Sequence, residues 1–142
     1  MTAVAVPTIE RHASQLLDLL VDCGPLTAVE CCDKLGWSRG RFDAAIRHAR
    51  AHLCPALGIA IPAATPDSEW RYEATTEWEP VEAGASYTLG QVESRLLGVH
   101  RDVQIVLPKL KRGTKEWRRA NFLHKHLAHL VGTLREINDG EG

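Results

Sequence analysis

The sequence predicts a mainly α-helical chain with one small β-hairpin, closed by an antiparallel two-helix element. Three observations predict it. Apolar residues recur at three- and four-residue spacing along most of the 142 residues. Strand-like patterning is confined to 56–62 and 69–75. Two capping-box patterns, Thr27 with Glu30 and Thr88 with Gln91, mark helix starts at which each side chain satisfies an orphan backbone N–H.

The elements follow in order. Residues 8–23 read as an amphipathic helix, with Ile9, Ala13, Leu16, Leu20 and Cys23 on its apolar side and Gly24-Pro25 as its stop. The first capping box opens a short helix over 28–35 whose inner face is Ala28, Cys31, Cys32 and Leu35. Gly36-Trp37 is a tight break. Ser38 is a good N-cap for a third helix running to about His52, with Phe42, Ala45, Ile46, Ala49 and Leu53 as its apolar stripe and Pro55 as its end. Segments 56–62 and 69–75 pair as a hairpin, the second turning Trp70, Tyr72 and Ala74 inward, and Pro62 to Ser68 supplies the turn. Trp37 and Trp70 are expected to close the core of this first half.

Residues 77–86 lack periodicity and read as a linker. From 87 the stripe Leu89, Val92, Leu96, Val99, Val103, Val106, Leu110 keeps a strict three–four alternation, interrupted by Pro108 and Gly113. Thr114 caps a last helix bearing Ala120, Leu123, Leu127, Leu130, Leu134 and Ile137. Two such helices joined by a short loop form an antiparallel hairpin over 87–138. Trp78 and Trp117 are candidates to tie the two halves together.

Composition narrows the function. At 44% hydrophobic and 25% charged the chain has the make-up of a folded soluble domain. No apolar run approaches the roughly 18 residues that a membrane span needs, and Met1 to Pro7 lack the pattern of a secretory signal. A cytoplasmic, reducing location is expected, and the four cysteines then read as small buried hydrophobes. No GxGxxG, P-loop, HExxH or GxSxG motif is present, and no nucleophile has an evident base partner, so neither an enzyme nor a cofactor is expected. His124, His126 and His129 do not converge on a helix, and basic neighbours would repel a cation, so no metal site is expected.

Charge is uneven. Residues 1–80 carry seven Lys and Arg against eleven Asp and Glu, whereas 109–125 carry seven basic residues against Glu116 alone. A formal net charge of −1 excludes binding of nucleic acid by bulk electrostatics, but a local basic stretch suits a phosphate backbone.

The order helix, short helix, break, helix, hairpin resembles the winged helix-turn-helix superfamily. Residues Gly24 to Arg50 carry the resemblance: Thr27 starts one helix, Leu35-Gly36 ends it and Ser38 caps the next. It covers about half the chain and implies a winged domain over 8–76, a third helix that reads DNA, and the setting of a bacterial or phage regulator. The two C-terminal helices resemble those that dimerise bacterial winged-helix regulators, an architectural analogy only.

The residues of the third helix support the same role. A helix enters the major groove only if its outward face is small and carries donors for base edges. Gly40, Ala44 and Ala51 are small, and Arg47 stands among them with a planar fork that matches guanine O6 and N7. Ser38, Arg39 and Arg41 at the helix start suit phosphates or the first base, Asp43 shares the face, and His48 and Arg50 on the flanks suit the backbone. The tip 63–68 departs from the resemblance, because it has no Lys or Arg and carries Asp67. Lys111, Arg112, Lys115 and Arg118 in the C-terminal half either compensate by gripping phosphates or are a solvated surface.

The expected function is therefore sequence-specific binding of double-stranded DNA by a small transcriptional regulator or repressor, acting in a bacterial cytoplasm or nucleoid. Two alternatives stand beside it: a protein–protein module built on the same domain, and a regulator using Cys31 and Cys32 as thiol or metal ligands. A homodimer through the C-terminal helices is expected, because a lone hairpin leaves apolar edges such as Leu97, Ile105 and Val131 to be covered by the first domain or by a second copy.

Overall fold

The computed structural model describes residues 7–140. They form six α-helices, α1 (Thr8–Cys23), α2 (Ala28–Leu35), α3 (Arg39–His48), α4 (Cys54–Leu57), α5 (Trp78–Val106) and α6 (Lys115–Asn138), and two short strands, β1 (Leu26–Thr27) and β2 (Arg71–Tyr72). The chain divides into two compact units between Ala85 and Ser86.

In the first unit, α1 and α3 pack their apolar stripes together over α2. Ala13, Leu16, Leu20, Cys31, Phe42, Ala45 and Ala49 are wholly or almost wholly buried there. The caps that position these helices form as the sequence implies. Glu30 N–H donates to the Thr27 hydroxyl at 3.1 Å while Thr27 N–H donates to the Glu30 carboxylate at 3.1 Å. Arg41 N–H donates to the Ser38 hydroxyl at 3.2 Å. Gly36 takes φ 68°, ψ 36°, a left-handed conformation that costs glycine least, and so turns the chain from α2 into α3 within three residues.

The hairpin is smaller than the sequence implies and differently paired. β2 pairs antiparallel with β1, Leu26 opposite Tyr72 and Thr27 opposite Arg71. Segments 56–62 and 69–75 meet only at the single antiparallel bridge Ala60–Thr75. Pro55 is the reason. It does not end the third helix; the chain passes through a π-turn over Ala49–Leu53 and stays helical to Leu57, stopping at Gly58. Proline has no N–H to donate four residues back and its ring crowds that carbonyl, and a widened turn relieves both. The first two residues of the expected strand 56–62 are thereby spent as helix, and Gly58 as its stop.

Trp70 does not turn inward. It is 52% exposed, and with Glu69 it takes positive φ, 60° and 57°. Thr65 and Ser68 hold that turn together by reciprocal bonds between each backbone N–H and the other's hydroxyl, at 3.1 and 3.2 Å. Tyr72 fills the inward place, edge-on to Phe42 at 5.4 Å.

The stretch 77–86 is not an irregular linker. α5 starts at Trp78 and runs through it, so Thr88 lies inside a helix and caps nothing. Gln91 Nε2 donates instead to the Tyr87 hydroxyl at 2.8 Å. A stripe-free opening hides this helix in the sequence, and Gly84 explains it. Gly84 is buried against Pro62 and Ala63, where a Cβ would lie 3.0 Å from the Ala63 nitrogen. Trp78 at the start of α5 is exposed.

In the second unit, the rest of α5 pairs with α6 through a 3₁₀ turn at Leu107–Lys109 and the Thr114 N-cap. Leu127 and Val131 are buried, His100 stacks on His124 at 4.8 Å, and Asn138 Nδ2 donates to Glu93 at 3.3 Å. Among the described residues no helix is long and apolar enough to cross a membrane.

Candidate nucleic-acid interface

The outward face of α3 is built by the packing of its inner one. Burying Phe42, Ala45, Ile46 and Ala49 leaves Gly40, Arg41, Arg47 and Ala51 exposed and Asp43, Ala44 and His48 half-exposed. Between this face and β2 lies an open groove of about 520 Å³ lined by Asp43, Ile46, Arg47, Arg50, Ala51 and Tyr72. On the outward side of α3 and the π-turn after it, the side chains at 40, 44 and 51 are absent or methyl-sized.

The arginines divide into three kinds. Arg41 and Arg47 have no ion pair among the described residues. Arg39 is held on its own helix: its Nε donates to the Asp43 carboxylate at 3.0 Å, and the guanidinium lies 5.4 Å over the Phe42 ring. That bond raises the Arg39 pKa above its ordinary value. Arg50 is turned inward, not onto the flank. Its Nε donates to the Ile61 carbonyl at 2.8 Å, its Nη2 to the Pro62 carbonyl at 3.0 Å, and it rests 5.6 Å over the Tyr72 ring. Burial of this inner edge lowers its pKa from the ordinary value, although its outer edge still meets solvent. Arg50 thus fastens the 61–62 segment to the π-turn, a tie that its position along one helix does not encode.

Ser38 is occupied as the N-cap, accepting from the Arg41 N–H, which leaves the Arg39 and Gly40 amides of the first turn of α3 without an intrahelical acceptor. His48 and His52 lie ring against ring at 4.4 Å along the outer side. Asp43 is the acidic residue of this face, and Arg39 neutralises it.

In the second unit Lys111, Arg112, Lys115 and Arg118 are all exposed and have no ion pair among the described residues. Arg112 stacks 5.6 Å over the Trp117 ring, which orients its planar fork at the start of α6. Cys31 is fully buried and burial pushes its thiol up to about 11, whereas Cys32 is half-buried with its Sγ 3.7 Å from the Ser38 carbonyl oxygen. Among the described residues no three His, Cys, Asp or Glu side chains are grouped to hold a metal.

No protein-family model matches the chain, and no curated protein or solved structure matches it.

Proposed function

We propose that residues 8–76 are a winged helix-turn-helix domain and that the protein binds double-stranded DNA sequence-specifically, as a homodimeric transcriptional regulator of repressor type. One observation carries this reading: α3 and the π-turn after it present exposed Gly40 and Ala51 and half-exposed Ala44 around an Arg47 that has no ion pair among the described residues. Small side chains let the helix backbone approach the floor of a major groove, and Arg47 then reaches guanine O6 and N7 together. Arg41 and the open amides behind Ser38 meet the adjacent phosphate, where a helix N-terminus favours an anion. Arg39 and Arg50, already committed within the fold, contribute little.

The acidic turn 65–70, with Asp67 and Glu69, stands off the phosphates. Lys111, Arg112, Lys115 and Arg118 supply the second backbone contact in its place. Repression follows by occupancy, the bound protein excluding other proteins from the site. One feature favours the alternative of a protein-binding module: the exposed Trp70 beside Asp67 and Glu69 is suited to a protein surface.

The test is a duplex enriched from a random pool, titrated with the native chain and with Arg47→Ala. The reading predicts a loss of about 1–3 kcal/mol on the selected duplex and almost none on random duplex. Failure to enrich any duplex would favour the protein-binding module.

A further inference from the structure

We infer that the second unit carries a self-association face, on which a second copy of the chain seats antiparallel to form a four-helix bundle. This deepens the homodimer of the reading above, but its argument uses α5 and α6 alone.

Val92, Val99 and Val106 of α5 are 38%, 48% and 47% exposed, and Leu130 and Ile137 of α6 are 48% and 54% exposed. At about 100° per residue, each row sits about a quarter turn from the line along which its helix meets the other, and in the same rotational sense. That line is fixed by His100 stacked on His124 and by Asn138 bonded to Glu93. Because the two helices run antiparallel, equal offsets place both rows on one side of the hairpin. The three–four alternation therefore serves two seams: part of it closes α5 on α6, and part is left as one apolar face. A contiguous face of this kind marks a protein contact.

Charge identifies the occupant. Arg95 and Asp102 border the valine row on its outer edge, four residues before and three after Val99. Neither has an ion pair among the described residues. A two-fold axis crossing α5 at Val99 brings Arg95 of each copy beside Asp102 of the other, so both charges are matched twice by one operation. The contact is isologous and closes, and every neighbouring pair of helices in it is antiparallel.

Sedimentation equilibrium of the full chain at micromolar concentration should give twice the chain mass of 15.7 kDa. Val99→Asp should give the single mass with unchanged helical circular dichroism, and Ser94→Asp, on the opposite side of α5, should stay dimeric. Val99→Cys should form a reducible covalent dimer under mild oxidation, faster than the native chain with its exposed Cys23. A monomeric native chain, a dimeric Val99→Asp or a monomeric Ser94→Asp each overturns the inference. Should Val99→Asp fail to fold, the Val99→Cys rate decides, and a rate no faster than native overturns it. A monomer that still binds DNA would overturn this face and leave the DNA reading standing; a dimer indifferent to DNA would do the reverse.

Discussion

Replacing Arg50 with methionine separates a structural arginine from a DNA-contacting one. The substitution keeps the aliphatic stem and removes two hydrogen bonds, to the Ile61 and Pro62 carbonyls at 2.8 and 3.0 Å, together with the guanidinium over Tyr72. Hydrogen bonds from a charged donor contribute about 1.5–3 kcal/mol each when buried. Here solvent reaches the outer edge and can rehydrate the carbonyls, so about 1 kcal/mol each is the better figure, or about 2 kcal/mol in all. For a unit of this size each kcal/mol lowers the melting midpoint by about 4–8 °C, giving a fall of about 10 °C. Urea unfolding followed by circular dichroism measures the loss at an unchanged slope. Arg50→Lys, with one ammonium in place of a fork, should recover part of it. Unchanged stability with weakened DNA binding and a salt dependence shallower by about one ion would refute the assignment and return Arg50 to the phosphate backbone.

Other consequences can be measured separately. Thr27→Ala should cost about 1 kcal/mol by removing the acceptor at the start of α2. The Glu30 carboxyl is held below its ordinary pKa chiefly by its bond with the Thr27 N–H, so its contribution is complete at neutral pH and is lost as pH falls through its folded pKa; acid titration of native and Glu30→Gln chains should converge. Cys31, pushed to about 11 by burial, is protonated in the fold while the unfolded thiol ionises near 9, so stability should fall between pH 9 and 11, and less so in Cys31→Ala. Native Cys31 should also react with a thiol reagent far more slowly than exposed Cys23. Gly84→Leu should destabilise by about 1–3 kcal/mol, because the added side chain meets backbone at Ala63 rather than a yielding side-chain tip.

The helical half of the fold was legible because its signals are local. Thr27, Ser38 and Thr114 each cap through a neighbour three residues on, and a stripe such as Phe42, Ala45, Ile46, Ala49 is readable from spacing alone. The strands were harder, because a two-residue strand has no period. β2 takes as its partner β1, more than forty residues earlier, and the register rests on Tyr72 reaching Phe42. The start of α5 is not legible in the sequence because its first turns follow no stripe and pack through a glycine. In the candidate site, the small residues and Arg47 were readable as a face. The inward turn of Arg50 depends on carbonyls eleven and twelve residues away, which spacing along one helix does not encode.

The central claim is tested most directly by fluorescence anisotropy of the native chain against a random-sequence duplex at two salt concentrations. Binding that weakens steeply with salt, with log K falling by about 0.9 per phosphate neutralised for each tenfold rise in salt, is the result expected of Arg41 and the Lys111–Arg118 stretch acting on a DNA backbone. No measurable binding at the lower salt, or binding that does not change with salt, would contradict the DNA-binding account.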